Sequence, residues 1–335
     1  MSTPEDRPLP VDVPLIQNGC GDSCGCGHGG VEEGEGEYEC GLDPALAVLL
    51  SEAGLDPVLI EDIAHLAIGE DLDGGVDVTS TATVPEDAVA TGDFTAREAG
   101  VVAGLQVAEA VLSVVATREF TVERHVADGD RVEAGQKLLT VTAGTRDLLT
   151  GERSALNILC RLSGVATATR AWADALEGTG AQVRDTRKTT PGFRALEKYA
   201  VRCGGGANHR MSLSDAALVK DNHVIAAGGV AAAFKAVRDM YPGLPVEVEV
   251  DTLHQVREVL DAGADLILLD NFTPAETAEA VTLAGGRATL ESSGRLTLAN
   301  ARAYAETGVD YLAVGALTHS SPILDIGLDL READV

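Results

Sequence analysis

The sequence predicts an α/β fold in which a small β-sandwich-like region precedes a parallel sheet closed toward a barrel. Three observations carry this. Between residues 182 and 316, short apolar runs alternate with helical stretches at intervals of roughly 20–35 residues, about one βα unit each. Residues 88–142 instead alternate apolar and polar positions around turns, as antiparallel strands do. Aromatics make up only 3% of a chain that is 45% hydrophobic, so Val, Leu, Ile and Ala must fill the core.

Taken in order, residues 1–43 stand apart. They hold ten acidic residues against one basic residue, Arg7, and are rich in Gly. Such a segment cannot offset the entropy of ordering and is expected to be a disordered acidic tail. The alternative is a metal site built from Cys20, Cys24, Cys26, His28 and Cys40, although this spacing lacks paired C-x2-C knuckles. Residues 44–66 have helical periodicity, with Pro44 and Pro57 near helix starts. Glu70–Ser80, E-D-L-D-G-G-V-D-V-T-S, is either a solvated turn or a cation loop.

Ala90–Ala96 and Thr121–Val126 read as strands, and Gly100–Val115 as an amphipathic helix carrying Gln106 and Glu109. His125–Val141 has the turn and spacing of a biotinyl or lipoyl carrier. A carrier needs a Lys at the hairpin tip; here the turn is D-G-D and Lys137 enters a strand, so a carrier function is excluded. Six strand runs follow: Gln182–Asp185, Ala216–Lys220, Val246–Val250, Leu266–Asp270, Ala288–Glu291 and Tyr311–Gly315. Thr273-Pro274-Ala275-Glu276 is a capping box, Thr297 caps another helix, and Gly263 and Gly308 occupy C-terminal cap positions. Strands of this kind between helices make a parallel sheet, and their number suggests a barrel.

A net charge of −28 disfavours nucleic acid or anionic lipid as partner, because phosphate contacts need clustered Lys and Arg. No stretch is long and apolar enough to read as a membrane span or secretory signal, and no disulfide framework is visible, which fits a cytoplasmic location.

The chemistry is expected at the strand ends. Asp185 precedes Arg187 and Lys188; Lys220 and Asp221, Glu249 and Asp251, and Asp270 and Asn271 end the next runs; Glu291, Ser292, Ser293 and Gly315 end the last two. The carboxyl ends of barrel strands form the active face, and so long a series of polar termini is poorly explained by caps alone. From Arg184 to Lys220 there are eight basic against three acidic residues, a cationic island in an anionic chain. It suits a small polyanion, with Arg187 and Arg210 gripping carboxylate or phosphate and Lys188 and Lys220 acting as point charges. Arg194, Lys198 and Arg202 read as a solvated helix face. Gly204–Arg210, Ser292–Gly294 and Val314–Ser320 are Gly-containing strings suited to phosphate. Glu249 and Asp270 then make sense facing ribose hydroxyls, Mg²⁺ or a developing positive charge.

D-T-R-K-T-T-P-G (Asp185–Gly192), R-C-G-G-G-A-N-H-R (Arg202–Arg210) and L-V-K-D-N-H (Leu218–His223) closely resemble the quinolinate phosphoribosyltransferase family. G-E-R-S-A-L-N, V-E-V-E-V-D, L-L-D-N, E-S-S-G and G-A-L-T-H-S fit it too, in order, from about Asp43 to Leu330. The resemblance implies an N-terminal α/β sandwich domain (44–156, completed by 322–335) and an open seven-stranded α/β barrel (157–321). It implies the decarboxylating transfer of phosphoribosyl from phosphoribosyl pyrophosphate (PRPP) to quinolinate in de novo NAD biosynthesis, with Mg²⁺ as cofactor.

It further implies a homodimer or larger assembly whose sites are shared, with Arg153 crossing to the partner. Thr186, Arg187, Lys188, His209, Arg210 and Lys220 fall in the quinolinate-binding set, and Glu249 and Asp270 lie near ribose and Mg²⁺. Ser292, Ser293, Gly294, Val314, Gly315, Ala316 and His319 fall in the phosphate loops. Lys188, Lys220, Glu249 and Asp270 are the expected catalytic groups. The rivals are a relative that transfers phosphoribosyl to nicotinate without decarboxylation, a paralogue linked to molybdenum uptake, and a metal-binding protein acting through the tail cysteines. Two cationic pairs, Arg187-Lys188 and His209-Arg210, favour an acceptor with two carboxylates.

Overall fold

The structure, a computed structural model, describes residues 40–332. Cys20, Cys24, Cys26 and His28, and with them the tail's expected disorder or metal site, lie outside the described residues. Asp43 and Asp56 open α1 (Pro44–Glu52) and α2 (Pro57–Leu72) by accepting backbone N–H groups, each followed by Pro. Asp77 does the same for α3 (Val78–Thr83), so Glu70–Ser80 is the end of one helix and the cap of the next.

The antiparallel part comprises β1 (Val89–Ala96), β2 (Gly100–Val101), α4 (Leu105–Val115), β3 (Thr121–Arg124), β4 (Arg131–Val132) and β5 (Lys137–Gly144). α4 is not amphipathic in use. Leu105 and every residue from Val107 to Leu112 are buried, and Glu109 is tolerated because Arg124 pairs with it. β5 leads into α5 (Thr145–Ala175), a 31-residue helix packed on α4 and β2 and also on α6 (Arg194–Cys203). The position 156/157 therefore falls inside one continuous helix.

The barrel part begins with β6 (Gln182–Arg184) and continues after α6 with β7 (Ala217–Val219), α7 (Asp221–Ala227), α8 (Val230–Met240), β8 (Val246–Val250) and α9 (Leu253–Asp261). It ends with β9 (Leu266–Asp270), α10 (Pro274–Ala284), β10 (Thr289–Ser293), α11 (Leu298–Ala305), β11 (Tyr311–Ala313) and α12 (Ala316–His319). The chain closes with β12 (Ile326–Glu332), which pairs antiparallel with β1 in a sheet of order β12-β1-β5-β3.

The second sheet is parallel, in the order β6-β11-β10-β9-β8-β7, and has six strands among the described residues where the resemblance implies seven. The reason is local. Beside β6 the Gly-rich segment forms a single parallel bridge, Arg184 with Ala207, instead of a full strand. Its two ladder bonds are Ala207 N–H to the Val183 carbonyl (2.8 Å) and Asp185 N–H to the Ala207 carbonyl (3.1 Å). Side chains alternate across these strands. Val246, Val248 and Val250 are buried on the helix-facing side of β8, each worth roughly 1.5–3 kcal/mol of burial. Glu247 and Glu249 consequently point to the other side, as do Asp270 on β9 and Glu291 and Ser293 on β10.

Candidate active site

The strand ends bring most of the expected residues to one rim. Lys220 Nζ lies 3.1 Å from Glu249 Oε2; the lysine is half exposed and the carboxylate mostly covered. Asp270 accepts a 2.7 Å hydrogen bond from Asn271 Nδ2. Burial and the neighbouring Asp251 charge push the Asp270 carboxyl above its ordinary value, against the pull of Lys220 and Lys188. Asn271 holds a left-handed conformation (φ 57°), and Gly294 packs so closely on its side chain that no Cβ would fit. A non-Gly residue in that conformation costs about 1–3 kcal/mol and is typical of functional sites.

Gly315 is the junction of a second group. A Cβ there would lie 3.1 Å from Lys188 Cδ, 3.3 Å from His319 Nε2 and 3.4 Å from Thr186 Oγ1, so these three side chains converge over it. Thr186 Oγ1 accepts from the Lys188 N–H, and Thr318 Oγ1 donates to the Lys188 carbonyl at 2.8 Å. Ser293 and Gly294 are half-buried at the end of β10. Ser292 and Val314, also expected in the phosphate loops, have buried side chains, and the β10 alternation turns Ser292 toward the helices. What these two present to a ligand is backbone. Ala316 is exposed at the start of α12.

The cationic group lies beside this rim. Arg210 donates from Nη1 to the Ala216 carbonyl at 2.7 Å. Arg187 and Arg210 each bury an Nε with no hydrogen-bond partner. Burial and the Arg187 charge together push the Arg210 guanidinium below its ordinary value. Two guanidinium groups whose charges act on one another make a cationic patch suited to an anion with more than one carboxylate or phosphate oxygen.

Below the rim, the charges are already matched. Lys198, expected on a solvated helix face, is fully buried and pairs with fully buried Asp185. The correction has a clear cause: α6 packs onto α5, and Asp185 draws Lys198 inward. Arg194 likewise bonds Thr189 Oγ1 and the Met211 carbonyl, while Arg202 is exposed as expected. His209 is buried with Nε2 2.7 Å from Glu247 Oε2. Arg184 stacks on Tyr311 and binds Glu291 at 2.8 Å.

Burial pushes the Glu291 carboxyl up to about 7, with Glu247 adding to the effect. Burial acts on Glu247 too, but its hydrogen bond from His209 and the nearby guanidinium groups outweigh it and hold Glu247 below the ordinary range. His209, Glu247 and Glu291 have ligand atoms within 4.8 Å of one another. Arg184 already supplies Glu291 with a positive partner and the His209 ring lies within hydrogen-bond reach of Glu247, so the cluster is bonded internally.

The sequence reading missed Glu247 as a member of the buried network under the rim and undervalued Glu291. The available signal was a carboxylate inside the valine run V-E-V-E-V, which is costly to bury without a partner. Arg153 is exposed on α5. Cys40, Cys160 and Cys203 are free thiols, and burial with Asp128 pushes Cys203 up to about 12, so no activated nucleophile is present among them.

Comparison with known proteins agrees with this arrangement. The model for the quinolinate phosphoribosyl transferase N-terminal domain matches residues 77–163, and that for the C-terminal domain matches 165–329. A nicotinate-nucleotide pyrophosphorylase [carboxylating] of Mycobacterium leprae is 54% identical over 286 residues, covering 84% of this chain and all of that one. A mitochondrial quinolinate phosphoribosyltransferase [decarboxylating] of Nicotiana tabacum is 40% identical over 291 residues, covering 81% of this chain and 82% of that one. The crystal structure of NadC from Streptococcus pyogenes superposes with a TM-score of 0.80 at 40% identity, covering 84% of this chain and 99% of the other. Two family models that together match residues 77–163 and 165–329, with relatives alike in sequence and shape over most of the chain, show that the chain belongs to the quinolinate phosphoribosyltransferase family.

Proposed function

We infer that this chain transfers the phosphoribosyl group of PRPP to quinolinate with loss of carbon dioxide, forming nicotinate mononucleotide and pyrophosphate for NAD biosynthesis. The observation that carries the reading is the Arg187–Arg210 pair, two neighbouring guanidinium groups with buried, unpartnered Nε donors. Quinolinate is a planar dianion with adjacent carboxylates. It relieves the mutual repulsion of the two guanidinium groups. Lys188 adds charge from the same loop, and Lys220 does so from the end of β7.

PRPP sits at the carboxylate side of the rim, with its phosphates against the Ser293–Gly294 and Gly315–His319 segments. Glu249 and Asp270 face the ribose. As pyrophosphate leaves, the anomeric carbon becomes oxocarbenium-like, and these fixed negative charges stabilise it. The pyridine nitrogen attacks that carbon. The resulting ring cation stabilises the electron pair left on the ring carbon when the adjacent carboxylate departs as carbon dioxide, and a proton from solvent then forms the C–H bond there. Positioning and electrostatics do the work, and no covalent nucleophile is needed.

Mg²⁺ fits this rim. Burial, with the Asp251 charge added, raises the Asp270 carboxyl, a penalty a cation would relieve, and hard carboxylate oxygens suit that ion. Asp270 and Glu249 would hold it, and when bound it neutralises charge on the leaving pyrophosphate. The assembly is proposed to be at least a dimer in which Arg153, exposed on α5, enters the partner's site. A cytoplasmic location agrees with the fact that, among the described residues, no helix is long and apolar enough to cross a membrane.

The test is direct. Protein, Mg²⁺, PRPP and quinolinate should yield nicotinate mononucleotide and carbon dioxide, and nicotinate in place of quinolinate should not serve. Product from nicotinate with no carbon dioxide from quinolinate would instead identify the non-decarboxylating relative. Mixing inactive Arg153→Ala and Lys220→Ala proteins should restore activity if sites are shared; no restoration would place each site within one subunit.

A further inference from the structure

We propose that Glu247 and His209 form a positioning relay that aims Arg210 at quinolinate, with Glu247 hydrogen-bonded to the imidazole that fixes the Arg210 peptide. The proposal rests on the quinolinate reading above and assigns a role to a buried carboxylate bonded to His209 beneath the rim.

The geometry begins with the ring. His209 Nδ1 accepts the Arg210 backbone N–H at 2.7 Å. A nitrogen that accepts a hydrogen bond carries no proton, so the ring proton sits on Nε2. Nε2 lies 2.7 Å from Glu247 Oε2 and donates to it. Both ring nitrogens are therefore occupied inside the protein, and the residue is only 8% exposed. A neutral imidazole with no free nitrogen is poorly placed to bind a carboxylate. It is well placed to fix the peptide of the residue that follows it.

The backbone on the other side is fixed too. The His209 N–H donates to Asp185 Oδ1 at 2.8 Å, and its carbonyl accepts from Lys198 Nζ at 2.7 Å. Asn208 Nδ2 donates to Asp185 Oδ2 at 2.6 Å. The buried Asp185–Lys198 pair thus clamps the chain before Arg210, and the His209 ring clamps the peptide entering it. The one hydrogen bond of the Arg210 guanidinium, to the Ala216 carbonyl, leaves its buried Nε without a partner. Arg210 is aimed by three buried contacts upstream of its side chain, and Glu247 is the only one of the anchors supplied by β8.

Glu291 is the obvious competitor for the imidazole. Its Oε1 lies 3.7 Å from Nε2, beyond hydrogen-bond reach, and its Oε2 is held by Arg184. Arg184 therefore keeps Glu291 occupied and leaves Nε2 to Glu247. The same helix-averse V-E-V-E-V alternation places Glu247 and Glu249 on one face of β8. Glu249 serves the rim, and Glu247, one repeat deeper, serves the residue that binds the acceptor.

Two measurements test this. Nitrogen-15 NMR of histidine-labelled full-length protein, with His209 assigned by its loss in His209→Gln, should show a bare Nδ1 and a protonated Nε2. A protonated Nδ1 would overturn the proposal whatever the enzyme's substrate. In steady-state assays, Glu247→Gln keeps an acceptor for Nε2–H and should leave the quinolinate KM within about threefold. Glu247→Leu removes the acceptor and should raise that KM about 10- to 100-fold, as loss of orientation does. The PRPP KM should change less than twofold in both.

Equal losses in Gln and Leu variants, or parallel losses for quinolinate and PRPP, would refute the relay. If Glu247→Leu does not fold, the NMR tautomer and the Gln variant decide the matter. If wild-type protein does not turn over quinolinate at all, the functional reading fails while the tautomer result still stands.

Discussion

The rim of the barrel and the layer beneath it use the same residue types in opposite ways. At the rim, Lys188, Lys220, Arg187 and Asp270 are partly open to solvent, and several donors lack partners. One layer down, Asp185, Lys198, Glu247 and His209 are buried and bonded to one another. The difference teaches how a cationic pocket survives in the absence of its anion. The lower layer bonds largely within itself, so the unbalanced charge above it is held in place by buried neighbours with partners of their own.

The comparison breaks most visibly at Lys198. Lys198→Met leaves Asp185 as an uncompensated buried charge and should destabilise the protein by roughly 3–5 kcal/mol, read as a lower denaturant midpoint. A rim-like cost below about 1 kcal/mol would show that the two layers do not differ. Arg210→Ala should do the reverse. It should weaken quinolinate binding by about 100-fold, the order expected for two charge-assisted hydrogen bonds, while the thermal midpoint barely moves. Calorimetry with quinolinate checks this; unchanged affinity would remove Arg210 from the site.

Glu291 sharpens the comparison through pH. Its folded-state carboxyl is raised from 4.5 to about 7, so the folded state binds the proton more tightly than the unfolded chain. The stability this proton contributes is complete below pH 4.5 and is lost as pH rises through about 7, roughly 3 kcal/mol in all. Glu291→Gln should remove that slope from urea-unfolding free energies measured between pH 4.5 and 7.5. An unchanged slope would assign the proton to another group.

The barrel was legible where strands are apolar and end abruptly. β8 and β9 fall on the residues read from the sequence, because a Val or Leu run next to a capped helix leaves little choice of boundary. The Thr273 capping box and the Thr297 cap were equally plain, since both depend on neighbours only three residues away. Legibility failed where a charge finds its partner at a distance. Lys198 looks like a surface residue until Asp185, thirteen positions earlier, folds beneath it. Glu109 suggested a wet helix face, yet Arg124 on another strand makes α4 a core helix. The rim residues were found from strand endings and motif resemblance; Glu247 was not, because its meaning depends on an imidazole brought across from another loop.

The long α5 helix has a mechanical consequence. At 31 residues it extends about 46 Å, contains no proline, and runs unbroken from the antiparallel sheet to the flank of the barrel. Its two central glycines are wedged, Gly151 against Leu112 and Gly164 against the Pro322–Ile323 backbone, so neither offers a bending point. A shaft of this kind ties the halves of the subunit together and forbids a clamshell motion between them.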